Sequence, residues 1–173
     1  MVFSTRSIAL ILSASVCIFP AAAATISVQI VETGILADLA SLEASSAWES
    51  GALDAIFDSG SIACNAPILR LESNTQMKGN FPKENTLGVR DARNGGADYL
   101  LLFVLVYDEA QASSNKSRAR IAPKRVAARL LKLLPLSIVY EEERALVPSL
   151  SGKDDEIFAK EFTRKILSRV KER

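Results

Sequence analysis

The side chains in this sequence that could carry out chemistry form one acidic group and one basic run. Asp54 and Asp58 lie four residues apart, with Glu49 shortly before them, so on a helix these carboxylates would share one face. Such a face could bind a hard cation or supply an acid and a base. A solvated helix surface explains the same spacing, and we prefer that interpretation. The sequence therefore predicts no catalytic residue and no metal site.

The basic run extends from position 116 to position 132 without an intervening acid. It could contact an acidic protein, lipid headgroups or an anionic polymer of the cell envelope. A loop and a strand face that are basic by chance are the alternative. No aromatic residues are interleaved there, so the run does not predict nucleic-acid binding. The candidate contact surface consists of Lys116, Arg118, Arg120, Lys124 and Arg125, and the run continues with Arg129 and Lys132.

Histidine is absent from all 173 residues. This excludes Ser-His-Asp and Cys-His catalysis, the usual catalytic zinc sites and the commonest general base near neutral pH. The sequence also lacks a P-loop, an EF-hand loop and a GxSxG motif. We therefore expect no cofactor and a protein that is not an enzyme. An exported enzyme that depends on carboxylates or on Ser and Lys remains the alternative.

Residues 1–24 have the three parts of a cleavable secretory signal. Arg6 precedes an apolar run from Ile8 to Phe19, and Ala22 and Ala24 provide the A-x-A pattern before a cut that would leave Thr25 first. A cut one residue earlier fits nearly as well. The apolar run has about 12 residues, whereas a membrane-spanning helix needs about 20. We expect a periplasmic or secreted protein without a transmembrane span in the mature chain.

Cys17 raises the alternative of a lipoprotein, since a cysteine after an apolar run can be lipidated. The residues before it argue against this, because Ala14 and Val16 stand where a lipoprotein signal usually has Leu and a small residue. The mature chain, residues 25–173, has equal numbers of basic and acidic residues and a length typical of one domain. It keeps only Cys64, for which a buried, inert thiol is predicted.

The first half of the mature chain predicts a strand, a helix and a second strand. Alternating apolar residues predict the strand over Thr25–Val31. A helix is expected from Leu36 to Ser59, either continuous or divided near Ser45, with Gly60 as a left-handed C-cap. The next strand, Ser61–Leu71, contains Pro67, which places it at a sheet edge or breaks it in two.

Residues 72–85 predict a surface loop, followed by a short helix that Asn85 or Thr86 caps and that ends at Gly95-Gly96. Tyr99–Tyr107 is an uncharged run that predicts a central strand covered on both faces. For residues 126–143 we prefer a hairpin that turns near Leu134-Pro135, although 126–134 also suits a helix. A C-terminal helix follows, with a capping box at Ser151 and Asp154 and an apolar stripe of Phe158, Phe162, Ile166 and Val170.

This order, strand-helix-strand-helix-strand-hairpin-helix, predicts an α+β fold with a mixed sheet. The helix-linked strands favour parallel pairing and the hairpin favours antiparallel pairing. The sequence also resembles small envelope modules of the curli-secretion-lipoprotein (CsgG) and TolB N-terminal type. The resemblance extends over residues 25–172 in topology, and over individual residues at Gly96-Ala97-Asp98-Tyr99 and Asp58-Ser59-Gly60. It implies a non-enzymatic envelope protein that acts by contacting a protein partner. A local structural role, as a cap or turn between helix and strand, also explains Asp98.

Overall fold

A mixed β-sheet lies at the centre of the fold, with two long helices on one of its faces. The computed structural model describes residues 23–34, 43–71, 77–83, 88–107, 121–147 and 151–171. In chain order the elements are β1 (Thr25–Thr33), α1 (Glu43–Asp58), β2 (Ile62–Asn65), β3 (Leu69–Leu71), β4 (Met77–Lys78), β5 (Phe81–Pro82), α2 (Val89–Asn94), β6 (Tyr99–Val106), β7 (Arg125–Leu133), β8 (Leu136–Ala145) and α3 (Gly152–Lys171).

The strand order β2-β1-β6-β7-β8 combines parallel and antiparallel pairing, as the sequence predicted. β1 pairs in parallel with β2, β3 and β6, whereas β6–β7 and β7–β8 are antiparallel. The predicted second strand is broken in two around Pro67, and both pieces pair with β1. Because β2 and β8 end the order, each presents one unpaired edge within the described part of the chain.

The central strand β6 is buried on both faces, which confirms the prediction for this apolar run. Leu101, Phe103 and Leu105 point toward the side of α1 and α3, and the alternate residues point toward the opposite side. All residues from Leu100 to Leu105 have no exposed surface. The strand ends at Val106, one residue before the predicted end. The run lacks alternating polar residues because both faces of the sheet are covered at β6.

An aromatic cluster joins α1, α3 and the sheet. Trp48 of α1 lies 5.3 Å from the Phe103 ring, 5.5 Å from Phe158 and 6.4 Å from Phe162, measured between ring centroids. The two helices come close beside this cluster at Gly51, where a side chain would meet the backbone of Glu156. The absence of a Cβ at this position thus permits the contact between the helices.

The opposite face of the sheet is covered by α2 and by a small hairpin of β4 and β5. Phe81 of that hairpin is buried, and the Arg129 guanidinium lies 3.7 Å from the centroid of its ring. Residues 77–82 were predicted to be surface loop, and that prediction is wrong. The reason is that one aromatic residue, Phe81, can bury itself against the sheet although most residues around it in sequence are polar.

The helices agree with the sequence patterns except near their first residues. α1 begins at Glu43, and the predicted residues before it lie outside the described part. Ser45 is inside the helix, where its hydroxyl pairs with the buried hydroxyl of Tyr107 at 2.8 Å, so α1 is not divided there. α2 begins at Val89 with Gly88 at its N-cap position, so the prediction that Asn85 or Thr86, which lie outside the described residues, caps this helix is wrong. Gly60 has the left-handed backbone expected of a C-cap, with φ of 80°.

The C-terminal helix begins as the capping box predicted. The N–H of Asp154 donates to Ser151 Oγ at 3.2 Å, and that hydroxyl lies 2.8 Å from the Asp154 carboxylate. Residues 1–22, which include most of the predicted signal, lie outside the described part, so the signal stays a prediction. Among the described ranges, no helix combines the length and the apolar character that crossing a membrane requires.

Candidate functional site

The acidic group of α1 binds basic side chains of α3. Lys160 Nζ lies 3.2 Å from Asp54 and 3.1 Å from Asp58, and Arg164 Nη2 lies 2.7 Å from Asp58. Glu49 is separate and accepts a hydrogen bond from the Asn65 amide at 3.2 Å. Asp54 and Asp58 therefore do not form a carboxylate pair but hold α1 against α3 through ion pairs. Their partners lie about 100 residues later in the chain, so the local sequence pattern does not reveal them.

Hydrogen bonds from Arg164 and then Lys160 hold the pKa of Asp58 below its ordinary value of 3.8. A general acid needs the opposite shift, because it must keep its proton near neutral pH. This carboxylate lines a shallow depression of about 210 Å³ together with Ser59 and Ser168. Chemically, the arrangement is suited to holding α1 against α3 rather than to proton transfer.

No group of three or more Cys, Asp or Glu side chains that could hold a metal ion occurs in the residues that the structure describes. Cys64 lies on the edge strand β2 and is partly buried, less than the buried thiol that the sequence predicted. Its thiol lies 3.7 Å from the Ile26 carbonyl oxygen, to which it donates a weak hydrogen bond. A sheet edge covers a side chain less completely than a central strand does.

The basic run is divided by the fold. Lys116, Arg118 and Arg120 lie outside the described residues, so their share of the candidate contact surface stays a prediction. Lys124 immediately precedes β7 and Arg125 begins it. The guanidinium of Arg125 is 2.6 Å from Glu143, and that of Arg129 is 2.8 Å from Glu141.

These acids come from the facing strand β8, and sequence reasoning missed them as partners. The sequence does contain a pattern from which these partners could have been predicted. With the hairpin turn placed at Leu134-Pro135, residues 129 and 141 stand nearly opposite each other on β7 and β8. The pairing neutralises part of the positive charge that the sequence suggested for this region. It also shows that the β7 portion of the basic run has local partners of opposite sign.

A further acidic residue of β8, Glu142, lies on the side of α3. Burial would raise the pKa of Glu142, but hydrogen bonds from Lys165 and Arg144 outweigh it and hold that pKa below its ordinary value. The Arg144 guanidinium also lies 4.7 Å from the centroid of the Phe162 ring. Glu142 therefore joins the end of the sheet to the C-terminal helix as an ionised group.

An ion pair with a fully buried carboxylate near the end of β1 was also missed. Glu32 Oε2 accepts a hydrogen bond from Arg70 Nε at 2.8 Å and lies 2.7 Å from Arg70 Nη2 in an ion pair. Glu32 Oε1 has no hydrogen-bond partner among the described residues. The two residues stand opposite each other in the parallel β1–β3 register. The pair therefore ties the short strand β3 to β1, and no sequence signal distinguished Glu32 from a polar residue after a strand.

Large apolar side chains are exposed at the two open edges of the sheet. At the β8 edge these are Leu134 in the turn and Leu136 and Ile138 on the strand, and at the β2 edge it is Ile62. Phe57, on α1, is exposed as well. The apolar half of β8 is followed by three consecutive glutamates at positions 141–143. An exposed apolar edge is a surface on which a second strand can pair, and adjacent charges restrict where it pairs.

No protein-family model matches the chain, and no curated protein matches it in sequence. Its structure is similar to that of a PelC dodecamer from Paraburkholderia phytofirmans, with a TM-score of 0.46 and 16% identity over 85% of this chain and 86% of that chain. A second PelC dodecamer structure from the same organism, of a form with a single Leu-to-Met substitution, gives a TM-score of 0.44 and 15% identity over 86% of this chain and 90% of that one.

A TolB structure from Acinetobacter baumannii is also similar, with a TM-score of 0.39 and 12% identity over 87% of this chain and 29% of the TolB chain. The sequence predicted a resemblance to modules of the TolB N-terminal and curli types; the comparison adds a weak similarity in fold to TolB, and the resemblance to the curli module stays a prediction. Similarity at this level concerns the fold alone and transfers no function to this chain.

Proposed function

We propose that this chain is an exported, non-enzymatic protein that acts by binding another protein chain at the apolar half of β8. The observation that carries the proposal is the exposure of Leu134, Leu136 and Ile138 at an unpaired sheet edge. The signal pattern of residues 1–24 supports export. A role without catalysis is supported by the pairing of the candidate carboxylates with Lys160 and Arg164.

The geometry favours strand addition as the mode of contact. β8 is a ten-residue strand, Leu136–Ala145, and its outer edge offers backbone N–H and C=O groups to a partner strand. Ile138 stands opposite Leu131 and Leu136 opposite Leu133, so both lie beside buried residues of β7 on one face. A partner strand with apolar side chains would extend this face. The glutamates at 141–143 would repel acidic side chains of the partner that lie beside them and favour basic or neutral side chains there.

The basic segment supplies a second contact in this proposal, toward the end of β8 away from its apolar half, since Arg125 stands opposite Ala145. Lys116, Arg118, Arg120, Lys124 and Arg125 would then meet acidic groups of the same partner, with Arg125 already sharing its charge with Glu143. Such contacts steer association and depend on salt, whereas the apolar edge supplies affinity. We therefore expect added salt to slow binding without abolishing it.

The test compares three purified mature proteins: the wild type, Ile138→Lys and Ile157→Lys. Ile157 is a matched control because its side chain is 49% exposed, close to the 54% of Ile138, but it lies on α3. Each is incubated with an envelope fraction under mild crosslinking, and self-association is measured separately by sedimentation. Neither substitution should change stability by more than about 0.5 kcal/mol, since both sites are on the surface.

The proposal expects the wild type and Ile157→Lys to form the same complex, with a second copy or with another protein, and Ile138→Lys to lose it. Photo-crosslinking from position 138 should then label the partner strand. Equal binding by all three proteins would refute the assignment to β8. Absence of any complex in the wild type would refute the binding function itself.

A further inference from the structure

The first residue of β1 is bound to Asp98, in the Gly96-Ala97-Asp98-Tyr99 turn before β6. The backbone N–H of Thr25 donates to Asp98 Oδ2 at 2.8 Å, and the N–H of Asp98 donates to the Thr25 carbonyl oxygen at 2.8 Å. Thr25 is also the residue that the A-x-A pattern would place first after cleavage. The Asp98 carboxylate therefore lies where a new chain terminus would form. An acid that only capped a helix or turned the chain would not need to lie at this position.

We propose that the signal is cut between Ala24 and Thr25 and that Asp98 then binds the new α-ammonium group of Thr25. The inference rests on the export part of the proposed function. In the cut, a signal peptidase adds water across the Ala24–Thr25 peptide bond, so Ala24 leaves with a carboxylate and Thr25 gains an amine. That amine is protonated below its ordinary pKa of about 7.7–8.0. A neutral N–H donor thus becomes a cation beside a carboxylate, and charge-assisted hydrogen bonds are roughly twice as strong as neutral ones.

The surroundings leave room for this change. Asp98, Tyr99 and Lys132 line an open depression of about 360 Å³, together with Ala23 and Ala24, which would depart with the signal. The charged and titratable groups that face the new terminus are therefore Asp98 and Tyr99 from β6 and its preceding turn, and Lys132 from β7. Of these, only Asp98 carries a charge opposite to that of the terminus.

A cut one residue earlier would place the charge elsewhere. The ammonium would then be on Ala24, about 3.3 Å further along the chain, and Thr25 would keep a neutral N–H toward Asp98. That cut preserves the hydrogen bond from the Ile62 N–H to the Ala24 carbonyl oxygen, at 2.9 Å. Ile62 is exposed, so water can replace this bond, whereas water cannot supply the opposite charge that Asp98 offers.

The experiment uses the full-length gene, with the processed protein purified from the exporting host. Intact mass first identifies the terminus. Thermal melts of the wild type, Asp98→Asn and Asp91→Asn are then compared from about pH 6.5 to about pH 9, the range in which an α-amino group titrates. Asn keeps an acceptor for the hydrogen bond but removes the charge. Asp91 is the matched control because it is an exposed acid on α2, 3.8 Å from the exposed Arg90.

In this proposal Asp98 raises the pKa of the terminus in the folded state. The stability that the ion pair adds is therefore complete below about pH 7.7 and is lost as the pH rises through the raised pKa. Over this range the wild type and Asp91→Asn should lose about 2–4 °C more in Tm than Asp98→Asn. A titration of the ¹³C-methylated α-amine by NMR, which does not depend on the variant's folding, should give a pKa above about 8 in the wild type.

A terminus at Thr25 with this difference in pH profile supports the inference. A terminus at Thr25 with parallel profiles and an unshifted amine would refute the Asp98 assignment and leave export intact. A terminus at Ala24 would refute the position of the cut. An uncut chain, or one lipidated at Cys17, would refute both the inference and the predicted signal cleavage, whereas binding at β8 is measured independently.

Discussion

Replacing Gly51 by Ala should destabilise this protein, although helix propensity alone predicts the reverse. In a helix interior, Ala is more favourable than Gly by about 0.8–1.0 kcal/mol. At Gly51, however, an added Cβ would overlap the carbonyl oxygen of Glu156 on α3 and would lie 3.0 Å from both the Glu156 carbonyl carbon and the Ala159 Cβ. The obstacle is mainly backbone, which cannot rotate away as a flexible side chain could.

The magnitude follows from which of these two effects is larger. Overpacking of a close contact typically costs about 1–3 kcal/mol, and here α1 must move away from α3 and loosen the contacts of Trp48 with Phe158 and Phe162. Because the added Cβ meets backbone rather than a flexible side chain, we take the upper part of that range, about 2–3 kcal/mol, and after the gain in propensity we expect a net loss of about 1–2 kcal/mol. For a chain of this size that corresponds to a fall in Tm of roughly 2–8 °C.

The assay is thermal and urea unfolding of Gly51→Ala beside Ser50→Ala. Ser50 precedes Gly51 on the same helix and is exposed, so Ala there changes propensity without a new contact. Ser50→Ala should leave the Tm equal or slightly higher. A Tm for Gly51→Ala at or above that of the wild type would refute the reasoning, because it would show that α1 and α3 do not approach each other this closely.

Two further outcomes are expected. Phe103→Ala should lower the free energy of unfolding by about 3–5 kcal/mol, since Phe103 is fully buried and in contact with Trp48. The control Phe57→Ala, at an exposed phenylalanine, should change it by no more than about 0.5 kcal/mol. Similar urea midpoints for the two variants would contradict the position of the core. Arg164 and Lys160 lower the pKa of Asp58, so the contribution of this carboxylate to stability is present above its ordinary pKa of 3.8 and is lost as the pH falls through the lowered pKa. The Tm of Asp58→Asn should therefore fall less between about pH 5 and about pH 2 than the Tm of the wild type. An equal fall in both would show that the ion pair is absent in solution.

Local pattern was sufficient for most of the elements. The uncharged run of β6, the apolar stripe of α3 and the turn between β7 and β8 are visible in the sequence because the period of apolar residues and the turn residues are properties of neighbouring positions. The break of the second strand at Pro67 follows in the same way, since proline cannot donate a ladder hydrogen bond. The hairpin of β4 and β5 was not predicted, because its stability depends on the burial of Phe81 against a strand that is distant in sequence.

What the candidate sites do was decided by tertiary structure. The sequence by itself determined that the protein lacks histidine chemistry, has an export signal pattern and contains an acidic face and a basic run. Only the fold showed that Asp58 meets Arg164, that Arg129 meets Glu141, and that Asp98 meets Thr25. Each of these pairs joins two different elements, and their partners are set by strand register and helix packing rather than by spacing along the chain.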